Sequence, residues 1–214
     1  ELYNLREYSV KFFKILHKIK KSTGPVFVYS NFKEFGGLKS FIKVLKFHKF
    51  KNYKEHGEGK RRFAIWSGSE RHEFKEEIKN VFNQYSNKEG GKIKVLLGSP
   101  SIKEGVTLLR VEQVHVMEPY WNLSRFQQVI GRAIRYCSHK DLPKRDRFVD
   151  IFLYLAYHPK DKETVDKYIF NMSLTKEDII SKFEMALKEA AVDCKLNYYG
   201  NVQKRRDHIK CIKN

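Results

Sequence analysis

The sequence predicts an α/β protein: a parallel sheet with helices on both faces, followed by a small helical extension. Short apolar runs alternate with segments whose apolar residues recur every three to four positions, as buried strands and amphipathic helices do. Turn-forming Gly, Ser, Asn and Pro separate these segments. The alternation stops after residue 157, where two helical segments follow one another. Strands that alternate with helices are typical of parallel sheets covered on both faces.

The predicted elements follow from this spacing and from the residues that interrupt it. Leu2–Lys20 repeats its apolar residues as a helix does, and Ser22–Pro25 ends that helix. Ser69 is expected to cap a helix over 70–84, because its hydroxyl can accept a hydrogen bond from a free backbone N–H. Thr175 is expected to open the last helix in the same way, as a variant of the capping box. The remaining predictions are strands at 26–29, 62–66, 93–97, 113–117 and 148–157, helices after Gly37 and at 123–136, 163–172 and 175–191, and loops at 48–60 and 86–91.

Four segments are expected along the chain. They are a linker helix over 1–21, the sheet domain over 22–160, two helices packed on it over 161–199, and a basic tail over 200–214. The 214 residues, 41% of them hydrophobic, can bury one core or one core with an appendage. The longest apolar run, 151–157, is far too short to span a bilayer, and no signal peptide is visible. A soluble protein without membrane contact is therefore expected.

The charge of the chain is strongly positive and uneven. The formal net charge is +18, with a pI near 9.7. Residues 1–60 carry 14 basic and 5 acidic side chains, and residues 195–214 carry 6 and 1. Such an excess favours contact with nucleic acid or another polyanion, although a basic surface can also serve solubility alone.

The three cysteines are odd in number and widely spaced, and no CxxC pair occurs. This pattern argues against a disulfide framework or a zinc ribbon and favours a reducing, intracellular compartment. Cys137 and His139 are too isolated a pair for a metal site, so a surface loop is expected there and no metal ligands are predicted.

The most informative motif is QxxGRxxR, formed by Gln128, Gly131, Arg132 and Arg135. At 3.6 residues per helical turn, the amide and the two guanidiniums project from nearly one face. Arginine binds phosphate oxygens in a fork, and glutamine can orient a water, so this face suits a triphosphate. The alternative is a basic solvated helix face, which would require neither Gln128 nor Gly131.

Small polar residues follow three of the predicted strands: Ser30 and Asn31, then Ser67 and Gly68, then Ser99. Ligands of open parallel sheets gather at the carboxyl ends of strands. Hydroxyls, amides and bare backbone N–H groups suit phosphates at such a place. Each position taken singly is also explained by ordinary turn chemistry.

These stretches together resemble motifs of superfamily 2 helicases and translocases. The stretch 128–135 resembles motif VI, the arginine-finger helix of the second RecA-like domain. Val26–Asn31 resembles motif IV, Ala64–Gly68 resembles the next strand-end phosphate contact, and Ser99–Leu108 resembles motif V. Glu118–Asn122 is similar to the D-x-x-W-N run of Swi/Snf-type translocases. The resemblance implies a RecA-like parallel sheet.

The continuation of the chain narrows the resemblance. Residues 138–143, 147–154 and 186–194 are similar to helicases of large nucleocytoplasmic DNA viruses, which include early transcription factor helicases and nucleoside triphosphate phosphohydrolase I. The likeness covers about residues 22–197. It implies a viral protein of host cytoplasm and virion that serves transcription, with RNA polymerase as a possible partner.

The resemblance also implies roles for individual residues. Gln128, Arg132 and Arg135 would be catalytic, and the nucleotide would be ATP with Mg²⁺. The residues expected beside the nucleotide are Glu104, Gly105, Gln128, Arg132 and Arg135, and those expected to contact the DNA or RNA backbone are Ser30, Asn31, Ser67, Gly68 and Ser99.

Two motifs that such an ATPase needs do not occur in the sequence. There is no GxxxxGKS or GxxxxGKT loop and no DExx acidic box. The first RecA-like lobe, which would hold most of the ATP and Mg²⁺, is therefore expected elsewhere in a longer polypeptide, and this chain alone is expected not to hydrolyse ATP. The predicted function is the C-terminal motor lobe of a helicase or DNA translocase. The alternatives are a lobe of an RNA helicase or restriction-type translocase, and a non-catalytic nucleic-acid-binding module.

Overall fold

The parallel sheet predicted from the sequence is confirmed. The structure is a computed structural model that describes residues 4–103, 106–158, 160, 163–201 and 211. Within these residues the strands form one six-stranded sheet of order β2-β3-β4-β1-β5-β6, and every neighbouring pair is parallel. The strands are β1 (Val26–Tyr29), β2 (Lys51–Asn52), β3 (Arg62–Trp66), β4 (Val95–Gly98), β5 (Gln113–Val116) and β6 (Asp150–Leu153).

Helices cover both faces of the sheet. They are α1 (Leu5–Tyr8), α2 (Val10–Lys21), α3 (Leu38–Phe47), α4 (Tyr53–His56), α5 (His72–Phe82), α6 (Leu123–Ala133), α7 (Val165–Ala190) and α8 (Tyr198–Asn201). Successive residues of a strand point to opposite faces. Accordingly, Val26 and Val28 of β1 pack in one core with α2 and α3, whereas Phe27 and Tyr29 pack in a second core with α5 and α6.

The N-terminal segment and the first loop differ from the prediction. The single helix expected over residues 2–20 is interrupted at Ser9, whose side chain accepts a hydrogen bond from Phe12 N at 3.2 Å and so begins α2. The segment 48–60, expected to be a loop, contains β2 and α4. Strand β2 has only two residues, so it is too short to produce an alternating pattern in the sequence.

The predicted cap of α5 is wrong, because Arg71 occupies the cap position of that helix. The hydroxyl of Ser69 instead lies 2.7 Å from that of Ser67 and stays in the preceding turn.

The two helices predicted at 163–172 and 175–191 are one continuous helix, α7. Thr175 does not cap a new helix, since its hydroxyl donates to Asn171 O, four residues back, at 3.2 Å. This is the bond by which a threonine is accommodated inside a helix. The first half of α7 reaches the sheet domain, where Ser173 is buried, whereas Ile179 and Phe183 in the second half are more than half exposed.

The cysteines also differ from the sequence prediction, which argued against disulfides. Cys194 and Cys211 form a disulfide bond, and Cys137 is free and exposed in a loop. The bonded cysteines are 17 positions apart in the sequence, and this spacing gave no signal. None of the described helices is both long and apolar enough to cross a membrane.

Candidate functional site

The polar residues predicted to contact nucleic acid come together at the carboxyl edge of the sheet. Tyr29, Gly98 and Trp66 are register partners in β1, β4 and β3, so the residues that follow them are neighbours. Backbone hydrogen bonds continue this pairing beyond the strands, from Ser30 N to Gly98 O and from Ser99 N to Trp66 O, both at 3.1 Å. The strand-end strip, as we call this row, consists of Ser30, Asn31, Ser67, Gly68 and Ser99.

The serine hydroxyls of the strand-end strip point into the protein. Ser30 and Ser99 are fully buried, and Ser67 is 6% exposed. The hydroxyl of Ser30 donates to Glu118 Oε1 at 2.7 Å, and that of Ser99 lies 3.0 Å from the hydroxyl of Ser101. These serines therefore shape the loops, and other groups form the solvent side of the strip.

The solvent side is formed in part by residues that the sequence reasoning did not select. Lys33 and Ser69 are exposed, and Ser101 is half-buried. A side chain on Gly68 would lie 3.7 Å from Lys33 Nζ and 3.8 Å from Ser101 Cβ, so these three positions border one small space. The signal that was missed is a repeated Ser-x-Ser, which follows both β3 and β4.

A buried carboxylate holds the loop after β1. Glu118, just beyond β5, accepts hydrogen bonds from Ser30 Oγ at 2.7 Å and from Asn31 N at 3.1 Å. Burial raises the pKa of Glu118, and these two donors oppose the rise because they stabilise its charged form. The contact joins residues that are 88 positions apart and thereby fixes one end of the strip.

A second network connects the strip to α6. The hydroxyl of Tyr29 donates to Asn31 Oδ1 at 3.0 Å and accepts from Nε and Nη2 of Arg125, each at 3.3 Å. The Arg125 guanidinium also lies 4.1 Å from the centre of the Tyr120 ring, a cation–π contact. The N-terminal turn of α6 is thus attached to the loop after β1.

Helix α6 carries most, but not all, of the QxxGRxxR motif. It begins at the cap Asn122, whose side chain accepts from Arg125 N at 3.2 Å, and it buries Val129 and Ala133. Gln128 is exposed on this helix, and Arg132 is half-buried.

Arg135 does not belong to α6, contrary to the predicted helix 123–136. The helix ends at Ala133 because the chain turns there: Ser138 Oγ accepts from Arg135 N at 3.3 Å, and Ser138 N donates to Arg135 O at 3.0 Å. The position of Arg135 is therefore determined by this turn and by its own side-chain contacts, not by helical periodicity.

The side chain of Arg135 joins the two motifs predicted to face the nucleotide. Its Nη1 donates to Thr107 Oγ1 at 2.6 Å, and its Nε donates to Gly131 O at 3.1 Å. Nearby, Leu108 N donates to Arg132 O at 2.8 Å. Glu104 and Gly105, also predicted beside the nucleotide, lie outside the described residues.

The charges of Arg132 and Arg135 influence each other at this junction. Burial and the neighbouring charge of Arg135 lower the pKa of the Arg132 guanidinium. Two like charges that affect each other in this way are stabilised by an anion placed between or beside them. Among the described residues, the recorded partners of the Arg135 guanidinium are the neutral oxygens of Thr107 and Gly131.

Comparison with known proteins identifies the family to which the chain belongs. The chain belongs to the family of the helicase conserved C-terminal domain, which matches residues 10–137. The predicted resemblance to superfamily 2 helicases of large DNA viruses is confirmed.

Individual relatives come from such viruses. A protein of Acanthamoeba polyphaga mimivirus, named as a candidate ATP-dependent RNA helicase, is 56% identical over 97% of this chain and 36% of its own length. A second mimivirus protein with the same description is 37% identical over 92% of this chain and 24% of its own length. A homologue of the termination factor NPH-I from African swine fever virus is 31% identical over 88% of this chain and 33% of its own length. The chain thus spans about a third or less of the length of these relatives.

Proposed function

We propose that the full-length protein is an ATP-dependent helicase or translocase in which this chain completes the nucleotide site and contacts the nucleic acid. The observation that carries the proposal is the meeting of Arg135 with Thr107, next to Arg132, which puts two guanidiniums at one junction. A helicase C-terminal domain in the same chain makes a nucleoside triphosphate the anion that this junction would bind.

In this proposal, catalysis depends on closure of two lobes. ATP and Mg²⁺ are held mainly by the other RecA-like lobe, and closure brings Arg132 and Arg135 onto the γ-phosphate. There they stabilise the charge that develops in the transition state, a contribution of about 10³- to 10⁵-fold in other phosphoryl-transfer enzymes. Gln128, which is exposed on α6, orients the attacking water. Glu104 and Gly105 complete the nucleotide side of the cleft.

The strand-end strip would bind the nucleic-acid backbone. Asn31, Gly68 and their exposed neighbours Lys33 and Ser69 offer an amide, bare backbone and a cation, which suit phosphate oxygens. Backbone contacts carry no base information, so the protein would track along DNA or RNA irrespective of sequence. Opening and closing of the cleft would move these contacts along one strand.

The choice between DNA and RNA gives a second candidate function. The mimivirus relatives are named as RNA helicases, whereas the African swine fever virus relative is named as a termination factor homologue. We propose the transcription-related translocase, with RNA polymerase as a partner in a viral setting of host cytoplasm and virion, and retain an RNA helicase as the alternative. The arginine pair argues against a purely non-catalytic binding module, which would have no use for it.

The test is ATP hydrolysis by the full-length protein, with duplex DNA, single-stranded DNA and RNA compared as stimulators. Stimulation by DNA supports the translocase, and stimulation by RNA alone supports the alternative. The isolated 214-residue chain should show no turnover above a buffer control. Turnover by this chain at the rate of the full-length protein would contradict the two-lobe proposal.

A further inference from the structure

A basic hollow lies at the amino edge of the sheet, opposite the strand-end strip. It forms where α2 and α3 end and where β3 begins. Strand β3 has five residues, so at about 3.3 Å per residue the two edges are roughly 16 Å apart. The residues that line the basic hollow are Lys20, Lys46, Phe47, His48, Lys49 and Arg61.

The positions of helix ends explain only some of the basic residues that line the hollow. Cations are favoured in the last turn of a helix, where they meet the negative end of the helix dipole, and this accounts for Lys20 and Lys46. It does not account for Lys49 and Arg61, which lie beyond these helices.

Lys49 and Arg61 both have left-handed backbone conformations, with φ of 65° and 57°. A side chain at such a position costs about 1 kcal/mol or more, and glycine avoids most of that cost. Among the described residues, four other than glycine have a positive φ, and two of these, Lys49 and Arg61, border this one hollow; the chain uses glycine at further such positions, for example Gly57 and Gly90. Two long cations that border one hollow in this conformation indicate a use for their charge.

The basic hollow keeps most of its positive charge. Lys20 Nζ lies 3.3 Å from His48 Nδ1, and burial together with the Lys20 charge lowers the pKa of His48, so this ring is a neutral acceptor at pH 7. The carboxylate recorded in contact with the described lining residues is Glu55, 3.7 Å from Lys46 Nζ, with both side chains about half exposed. The interaction free energy of such an exposed ion pair is small.

The shape and chemistry of the hollow fit a phosphodiester chain. Arginine binds phosphate oxygens in a fork, and several exposed cations can each take one phosphate of a polymer. The half-buried Phe47 ring, 5.2 Å from the His48 ring and edge-on to it, adds an aromatic surface beside the cations. A basic surface with an adjacent aromatic ring is a common arrangement for binding nucleic acid.

We propose that the basic hollow is a second nucleic-acid contact, which binds the backbone of the same DNA or RNA beyond the part held by the strand-end strip. The inference rests on the proposed function only in taking nucleic acid as the ligand. Because a duplex rises 3.4 Å per base pair, the roughly 16 Å between the edges corresponds to at least about five base pairs, and a path around the domain is longer. The hollow therefore adds more affinity for long duplexes than for short ones, which reach both contacts less readily.

The test uses the full-length protein with Lys49→Gly and Arg61→Gly combined, since glycine removes both charges and relieves the left-handed backbone. The matched control combines Lys14→Gln and Lys176→Gln, which remove the same charge from exposed positions of α2 and α7. Binding to duplexes of about 10 and about 40 base pairs is measured by fluorescence anisotropy over a range of salt concentrations, where each phosphate contact contributes about 0.9 to the log–log slope. Thermal unfolding verifies that all variants are folded.

The glycine variant should bind the long duplex about tenfold more weakly, with a salt slope lower by about 2, and should lose less affinity for the short duplex. Equal losses in the glycine and control variants, or equal losses on short and long duplexes, would overturn the second contact. Wild-type protein without measurable affinity for DNA or RNA would instead overturn the proposed function.

Discussion

The hydrogen bond between Thr107 and Arg135 can be tested by removing the acceptor alone. Thr107→Val keeps the branched shape of the side chain but deletes the Oγ1 that receives Arg135 Nη1 at 2.6 Å. Arg135 keeps its second bond, from Nε to Gly131 O at 3.1 Å, so the guanidinium is loosened and not released.

The size of the effect follows from the type of bond. A hydrogen bond to a charged group contributes about 1.5–3 kcal/mol, and exposure of the Arg135 side chain reduces that figure to about 1 kcal/mol. If Thr107 orients Arg135 for the γ-phosphate, Thr107→Val should lower kcat of the full-length ATPase about fivefold, with little change in KM for ATP. Arg135→Ala should lower kcat about 10³-fold or more, since it removes the charge itself.

A double-mutant cycle separates orientation from general damage. Adding Thr107→Val to Arg135→Ala should cost nothing further, because the hydroxyl then has no guanidinium to orient. Steady-state hydrolysis rates of the four proteins at saturating nucleic acid give the coupling. If the two losses multiply, Thr107 acts independently of Arg135 and the orientation argument fails.

Three further outcomes are expected. Arg132→Ala should lower kcat by orders of magnitude with nucleic-acid affinity little changed. Arg135→Lys should retain little of the wild-type kcat, because an ammonium cannot form the forked contact. Lost nucleic-acid binding with intact ATP hydrolysis would show that both residues face the nucleic acid and not the nucleotide. Lys33→Ala should weaken nucleic-acid binding by a similar factor for all sequences and reduce the salt slope by about 1, and unchanged affinity in a salt titration would remove this residue from the strip. Burial lowers the pKa of His115 in the folded protein to about 3, whereas the same side chain in the unfolded chain has a pKa of about 6.5. As the pH falls below about 6.5, His115 is therefore protonated in the unfolded chain before it is protonated in the folded protein. Stability should decline by up to about 1.4 kcal/mol per pH unit from there to about pH 3, and denaturant unfolding of His115→Phe should show a shallower slope.

The strands were predictable because a buried parallel strand produces a continuous apolar run. Val26–Tyr29 and Arg62–Trp66 have the bounds that the sequence indicates. Two kinds of element were not predictable from apolar runs: strands that pair through very few residues, and helices in which a polar side chain bonds to a backbone carbonyl of the preceding turn. Strand β2 pairs through two residues, and Thr175 was interpreted as a cap although its hydroxyl donates backwards within α7. In both cases the deciding contact leaves no periodic trace in the sequence.

The site was predictable in its location and less so in its detail. Parallel strand ends meet at one edge, so Ser30, Ser67 and Ser99 had to be neighbours once the strands were identified. The direction of the Ser30 hydroxyl depends on Glu118, which is 88 residues away, and local sequence carries no record of such a contact. The same holds for Arg135, whose bond to Thr107 spans 28 residues.

Helix α6 is attached at both ends to regions with different proposed ligands. Near its N-terminus, Arg125 bonds to Tyr29, which bonds to Asn31 of the strand-end strip. Just past its C-terminus, Arg135 bonds to Thr107 at the proposed nucleotide junction. The eleven residues of α6, Leu123–Ala133, extend about 16 Å at 1.5 Å per residue, and Arg135 follows two residues beyond the last of them. Because a helix resists bending over such a length, a shift of the loop after β1 must be taken up either by the Tyr29–Arg125 bond or by a movement of the arginine pair.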